Sequence, residues 1–301
     1  MIKETISPIF VQEKVPLAGL TTFGIGGLAK FFCSVCSSQE LAEAVRMARK
    51  NKTKFFILGG GSNILVADSG FPGLVIKNNN NKITQKKNKI KARSGAKLSG
   101  VVALSIKNSL SGLECCWGVP GTVGGAIVGN AGAKENWISQ AIETVTVLTP
   151  KNKVQILTKD QCQFDYRSSR FQVSQEIILE VVFNLKLLPQ EEVNQKQQEF
   201  FSLRASQPQE KSAGSIFKNP PAFSAGQLID QVGLKGKRIG DAQISPKHAN
   251  FIVNTNNAQA KDVLSLIKLI QKEVFSHYQI KLKPEIKFIG FAKSEIADII
   301  K

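Results

Sequence analysis

Histidine is nearly absent from this 301-residue chain, with two in all, and cysteine is sparse, with five. The five thiols, Cys33, Cys36, Cys115, Cys116 and Cys162, are odd in number and unevenly spaced. That suits reduced cysteines better than a disulfide framework. Cys33-Ser-Val-Cys36 is an isolated CxxC inside the strand-like run KFFCSVC, so it reads as buried thiols of a strand rather than as a zinc or redox centre. No metal is expected. No run of about 18 apolar residues occurs, and Met1 to Lys14 carries Lys3, Glu4, Pro8, Glu13 and Lys14 in place of the apolar stretch of a secretory signal. The expectation is a cytoplasmic protein with no membrane partner. GxxxxGK[ST] is missing, which argues against a P-loop nucleotidase. GIGGLA at 24–29 loosely matches a dinucleotide fingerprint, but it leads into the strand-like KFFCSV instead of opening a helix. A nicotinamide domain of the usual kind is therefore not expected.

Acidic residues are also in short supply, 23 against 40 Lys and Arg, for a formal net charge of +17. Such a balance places nucleic acid among the partners to consider. Its distribution argues otherwise. Lys77, Lys82, Lys86, Lys87, Lys89, Lys91 and Arg93 sit in one acid-free segment, KNNNNKITQKKNKIKAR, that has no interleaved aromatics to stack on bases. It reads as a solvated face, with Asn78 to Asn81 forming a turn or exposed hairpin. A positive field also concentrates small anionic ligands.

What is present is the composition of a soluble globular protein, 42% hydrophobic and 21% charged, long enough for two or three domains with their own cores. SSQELAEAVRMARK reads as a helix, with Ser37 and Glu40 at capping-box spacing and Leu41, Val45 and Ala48 at helical period. Strands are expected at 55–58, 142–148 and 177–183. Beyond Pro189 the text becomes helical, in EEVNQKQQEFFSLRA and in a longer amphipathic helix at 260–278 that puts Val263, Leu266, Ile267, Ile270 and Val274 on one face. Boundaries fall near 75 and 188, giving segments 1–75, 76–188 and 189–301.

Two segments are unusually rich in glycine. GGGSN follows the strand FFIL, so Gly59, Gly60 and Gly61 can turn sharply and present backbone N–H groups, with Ser62 and Asn63 adding side-chain donors. That is chemistry for cradling phosphate. WGVPGTVGGAIVGNAGA at 117–133 places Gly121, Gly124, Gly125, Gly129 and Gly132 in close succession. Either segment could instead be tight turns at strand ends.

TTFGIGG, LGGGSNILVAD, GVPGTVGGAIVGNAGA, YRSSRF, SAGSIFKNP, HANFIVN and KPEIKFIG, in this order and spacing, make the chain similar to the UDP-N-acetylenolpyruvoylglucosamine reductase family from about Leu20 to Gly290. GGGSN with PGTVGGA marks a wider flavin superfamily, whereas SAGSIFKNP and PEIKFIG are specific to this reductase. The resemblance implies an α+β fold, with two α+β subdomains sandwiching FAD in 1–75 and 76–188 and a C-terminal α/β substrate-binding domain in 189–301. It implies non-covalent FAD, because neither His248 nor His277 lies in the glycine segments, with NADPH as co-substrate. Cofactor contacts would come from Gly59, Gly60, Gly61, Ser62, Asn63, Gly121, Thr122, Gly124, Gly125, Ala126 and Gly132. The implied reaction reduces the enolpyruvyl ether of UDP-N-acetylglucosamine enolpyruvate to UDP-N-acetylmuramate, for peptidoglycan. Arg167 would stabilise negative charge developing beside the carboxylate, Glu285 would act beside it, and Ser215 would supply the proton. Tyr166, Arg204, Lys218, Asn219 and His248 match positions that hold the substrate's diphosphate, sugar or carboxylate. Taken alone, Arg167 reads as a surface ion-pair residue, Ser215 as a turn residue and Glu285 as a strand-edge charge.

The sequence departs from the family pattern in places. Gln207 to Lys211, QPQEK, is one residue shorter than the usual QPL-x-x-P and lacks its second proline, and Asn256 and Asn257 stand where glycine is common. There is no room for a long insertion in the last domain, so the chain resembles the shorter family type. Two alternatives stay open: another FAD oxidoreductase of the superfamily, of sugar or lactone oxidase type, and a basic nucleic-acid-binding protein. The expected state is a monomer without nucleic acid.

Overall fold

The computed structural model describes residues 9–205 and 207–300. These gather into two compact units, one of residues 9–11, 33–60 and 75–205, the other of residues 12–32, 61–74 and 207–300. Both contain helices and sheets, so the fold is α+β.

The centre of the first unit is a five-stranded antiparallel sheet in the spatial order Val154–Thr158, Ile142–Leu148, Ile177–Asn184, Lys89–Arg93, Ile83–Lys86. Two-residue alternation builds its inner face: Val145 and Val147 join Val181, Phe183, Ile90 and Ala92 in one buried cluster. Helix α1 (Ser38–Lys50) starts where the sequence says. Ser37 Oγ accepts from the Glu40 N–H at 3.1 Å, but Glu40 reaches one residue further back than a strict capping box and accepts from the Cys36 N–H at 2.7 Å. Helix α2 (Leu98–Lys107) buries Leu98, Val101, Val102 and Ile106, helix α3 (Val123–Val128) lies within the second glycine segment, and α4 (Gln190–Ala205) buries Val193.

The basic segment is a solvated face at Lys82, Lys86, Lys87, Lys89 and Lys91, all exposed, but it departs from expectation at the asparagine run. Its hairpin turn is at Lys87 and Asn88, between Ile83–Lys86 and Lys89–Arg93, not in the asparagine run. Asn78 and Asn80 are buried. Their side chains bond to Ser94 and Ser38, and Asn78 Oδ1 also accepts from the Asn80 N–H. The strand-like KFFCSVC is indeed a strand, Leu28–Val35, with Cys33 buried in it. Cys36 lies past its end and is exposed, so only one of the two thiols is a core residue. Among the described residues all five cysteines are free and none belongs to a metal-ligand cluster.

In the second unit, Lys211–Ser215, Phe251–Asn254, Ala242–Ile244 and Arg238–Ile239 form an antiparallel sheet in that order, and Ile64–Val66 pairs in parallel with Lys287–Ile289. Helix α5 (Ala225–Gln231) is capped by Ser224, α6 (Ala260–Tyr278) occupies the whole stretch expected of it, and α7 (Lys293–Ile300) follows. The α6 face of Val263, Leu266, Ile267, Ile270 and Val274 is fully buried, each side chain stabilising the unit by about 1.5–3 kcal/mol relative to exposure. Asp68 accepts from the Ala260 and Lys261 N–H groups at 2.8 and 3.2 Å, which satisfies two of the four donors a helix start leaves open. Among the described residues no helix is long and apolar enough to cross a membrane.

Candidate functional site

In the first unit the two glycine segments pack on each other. A Cβ on Gly60 would stand 2.5 Å from Gly121 Cα, and one on Gly59 would occupy the place of the Thr122 hydroxyl. Here the close approach that only glycine permits is between two loops, and Gly121, at φ +114°, also needs glycine for its conformation. Gly124 is tight as well, against Ser94 at 3.0 Å, and its N–H donates to the Ser94 carbonyl while the Val123 N–H donates to the Ala96 carbonyl. The first amides of α3 are thereby used inside the protein. Gly125 differs, because a Cβ there meets nothing nearer than 3.7 Å. Ala126 is buried in the helix. Beside the paired loops lies a cleft of about 290 Å³, lined by Gly59, Gly60, Gly121 and Thr122 together with Lys77 and Lys97. Glycine backbone, a hydroxyl and two ammonium groups fit a phosphate-bearing ligand such as FAD.

The far end of α3 holds the YRSSRF turn. Ser169 Oγ donates to the Val128 carbonyl at 2.8 Å, and Asn130 Nδ2 donates to the Asp165 carbonyl at 3.0 Å. Arg167 is left-handed at φ +49°, unusual for a side chain of its size. Its Nη2 donates to the Gly132 carbonyl at 3.0 Å, and its guanidinium lies 5.4 Å from the Trp137 ring and 5.7 Å from the Tyr166 ring. A Cβ on Gly132 would strike the Asn136 carbonyl, so this glycine serves its own hairpin and offers its carbonyl to Arg167. Three residues further on from Arg167, Arg170 is bidentate on Glu176 at 3.0 and 3.0 Å. Arg204, at the end of α4, reaches the Cys115 carbonyl at 3.3 Å. Burial pulls its pKa down, and the nearby Arg167 charge adds to that lowering, while the Cys115 and Cys116 thiols oppose it. Two guanidinium groups thus share one region of the first unit.

In the second unit the remaining motifs converge. Gly61, at φ +67°, packs on Leu20 and Thr21 of the TTFGIGG stretch and accepts from the Thr22 N–H at 3.1 Å. Ser62 and Asn63 complete the turn into Ile64–Val66. Ser215 ends the strand Lys211–Ser215, where a register shift and the positive φ of Gly214 form a bulge that re-aims it. The next residues run beside the KPEIKFIG segment: the Glu285 N–H donates to the Ile216 carbonyl at 2.7 Å, and the Lys218 N–H to the Lys283 carbonyl at 2.9 Å. Asn63 joins them, its Nδ2 donating to the Glu285 carbonyl at 3.4 Å and its carbonyl accepting from Lys287 at 3.0 Å. Asn219 accepts from the Ala225 N–H at the start of α5. His248 Nδ1 accepts from the Asn250 N–H at 3.2 Å, and burial holds its pKa below the ordinary value.

Two further residues shape these clusters. Asn250 clamps Phe217 through both amide atoms, accepting from its N–H at 2.9 Å and donating to its carbonyl at 2.8 Å. Its polarity between Ala249 and Phe251 in HANF was the available signal. Trp137, under Arg167, carried none that separates it from a core aromatic.

Comparison with known proteins places these features. The profile of the FAD binding domain matches residues 29–158, and that of the UDP-N-acetylenolpyruvoylglucosamine reductase C-terminal domain matches residues 207–289. A flavin-dependent oxidoreductase is the class they define. The chain is 41% identical over 292 residues to the UDP-N-acetylenolpyruvoylglucosamine reductase of Caldanaerobacter subterraneus, covering 96% of this chain and 97% of that protein. It is 42% identical to the same enzyme of Caldicellulosiruptor bescii, covering 91% and 89%. Among solved structures, the reductase of Thermus caldophilus matches with a TM-score of 0.81 and 36% identity, over 94% of this chain and 99% of that one. The chain belongs to the UDP-N-acetylenolpyruvoylglucosamine reductase family.

Proposed function

We propose that the protein reduces UDP-N-acetylglucosamine enolpyruvate to UDP-N-acetylmuramate with NADPH and non-covalently bound FAD, a step in making peptidoglycan precursor. The observation that carries this reading is the pairing of the SAGSIFKNP strand with the KPEIKFIG segment, inside the region matched by the reductase C-terminal domain. By role, residues 1–75 and 76–188 serve the flavin and 189–301 the substrate, a division supported by where the two family profiles fall.

When bound, FAD would supply the two-electron redox chemistry between NADPH and the substrate's vinyl group. The chain's residues manage the charge and proton. Arg167, a fixed planar cation held by the Gly132 carbonyl and two rings, stabilises the negative charge that develops on the substrate carboxylate side. Ser215, small and re-aimed by the Gly214 bulge, donates its hydroxyl proton to the neighbouring carbon. Glu285 acts on the same charge in its protonated form. Arg204 and Lys218 are cations for the substrate diphosphate, and Tyr166, Asn219 and His248 contact the sugar or carboxylate. Gly59, Gly60, Gly61, Ser62, Asn63, Gly121, Thr122, Gly124, Gly125, Ala126 and Gly132 form the flavin's surroundings. A cytoplasmic monomer without nucleic-acid partners is part of the proposal.

The test is NADPH oxidation by the purified holoprotein, dependent on UDP-N-acetylglucosamine enolpyruvate, with a product two hydrogens heavier by mass spectrometry. Oxygen-dependent oxidation of free sugars without NADPH would favour the oxidase alternative.

A further inference from the structure

The SAGSIFKNP strand runs out of backbone partner where the candidate chemistry begins. Lys211 and Ser212 pair with Asn254 and Val253, the bulge intervenes, and Ser215, opposite Phe251, is the last residue in register. Ile216 still donates its N–H to the Asn250 carbonyl at 2.8 Å. The facing chain then turns away through His248, whose carbonyl accepts from the Phe251 N–H at 2.9 Å. At Phe217 the Asn250 side chain replaces the missing peptide: Oδ1 accepts from the Phe217 N–H at 2.9 Å and Nδ2 donates to the Phe217 carbonyl at 2.8 Å. On the other edge Phe217 lies opposite Pro284, which has no N–H to give, so the donor for the Phe217 carbonyl comes from Asn250. Phe217 and Asn250 are both buried, and water does not make good a bond lost there. The base of the clamp is itself fixed. His248 Nδ1 accepts from the Asn250 N–H, and the buried Ser245 Oγ accepts from the Lys247 and His248 N–H groups at 3.2 and 3.4 Å. Only an amide both accepts and donates from one short planar group; an ionised aspartate would set a second acceptor against the Phe217 carbonyl.

We propose that Asn250 is a positioning residue for the reduction: by standing in for a strand peptide at Phe217, it fixes the spacing between Ser215, two residues before, and Lys218, one residue after, so that hydroxyl and ammonium meet one bound substrate together. The proposal rests on the reductase reading and deepens it, adding a residue that touches no substrate and acts through the Phe217 backbone. The geometry gives the reason for its weight. Ser215 leaves its strand on a bulge, so the ladder behind it does not fix its direction, and the three hydrogen bonds from Asn250 to Ile216 and Phe217 are what follow it immediately. A misplacement of about 1 Å at a reacting group costs on the order of 10²-fold in rate.

The experiment follows flavin absorbance of the holoprotein by stopped flow in two separate half-reactions, reduction by saturating NADPH and anaerobic reoxidation by saturating UDP-N-acetylglucosamine enolpyruvate. Asn250→Asp slows reoxidation about 10- to 100-fold and leaves reduction within about twofold. A general loss of folded protein would instead lower the amplitude of both. Ser215→Ala combined with Asn250→Asp reoxidises no more than about threefold more slowly than Ser215→Ala alone, because misdirecting an absent hydroxyl has no further effect. Should Asn250→Asp fail to fold, Asn250→Ser, smaller and still polar, takes its place in the same measurements. The inference is overturned if the folded variant reoxidises as the wild type does, slows both half-reactions alike, or multiplies its full effect onto that of Ser215→Ala. A wild-type holoprotein whose reduced flavin the enol ether does not reoxidise contradicts the reductase reading itself, whereas a normal wild type with an indifferent Asn250 variant contradicts this inference alone.

Discussion

Arg167 donates to the Gly132 carbonyl at 3.0 Å while its guanidinium lies over Trp137 and Tyr166. The arrangement uses the plane of the group as much as its charge. A lysine would keep the charge and lose both the fork and the stacking surface. Arg167→Lys is expected to lower kcat by about 10²- to 10³-fold, as removal of one transition-state donor does, with the far-ultraviolet circular dichroism unchanged. Steady-state kinetics of the folded variant check it, and a near-normal kcat would remove Arg167 from the chemistry.

Ser215 sits on a bulge beside the segment that carries Glu285. If its hydroxyl delivers the proton, Ser215→Ala slows only the half-reaction that consumes the enol ether, by about 10²- to 10⁴-fold. Reduction of the bound flavin by NADPH stays near the wild-type rate. Stopped-flow measurement of the two half-reactions separates the effects, and equal slowing of both would refute the assignment.

The glycines of the two loops are not equivalent. A Cβ on Gly60 would lie 2.5 Å from Gly121 Cα, and backbone cannot yield as a side chain can. Gly60→Ala is expected to destabilise the apoprotein by about 1–3 kcal/mol. Gly125, inside α3 with its nearest neighbour at 3.7 Å, has space, so alanine leaves apoprotein stability unchanged or raises it by up to about 1 kcal/mol. Should Gly125 face the flavin, Gly125→Ala weakens FAD binding with no loss of stability. Thermal unfolding of the apoprotein and FAD titration of both variants test the contrast.

His248 is held neutral. Its Nδ1 accepts from the Asn250 N–H, and burial, with Lys235 nearby, lowers its pKa in the folded protein. The unfolded chain therefore binds more protons below pH 6.5, the ordinary value, and stability rises with pH across that range. The contribution is complete above about pH 6.5 and is lost progressively as the pH falls toward the folded-state pKa. Melting temperatures from pH 8 to pH 5 should fall more steeply for the wild type than for His248→Gln, and parallel curves would contradict this.

Local pattern carried much of this in advance. The α6 face at 260–278, the Ser37 cap and the alternation at 142–148 are short-range features, and each formed where its residues indicated. Long-range contacts were not legible. Nothing in GGGSN says that Gly60 packs against Gly121, sixty-one positions later, or that Ile64–Val66 pairs with Lys287–Ile289. Lys77 looked like its basic neighbours because its inward turn depends on where the Gly59 carbonyl lies in space. For the candidate site, the family motifs supplied the residues proposed, while the bulge at Gly214, the Asn250 clamp and the position of Trp137 beside Arg167 needed the structure.

The most direct measurement of the whole account is an anaerobic visible spectrum of the purified holoprotein through two additions. NADPH should bleach the flavin band, and UDP-N-acetylglucosamine enolpyruvate should then restore it in the absence of oxygen, with one UDP-N-acetylmuramate formed per flavin reoxidised. A protein without flavin colour, or a bleached flavin that only oxygen restores, would contradict it.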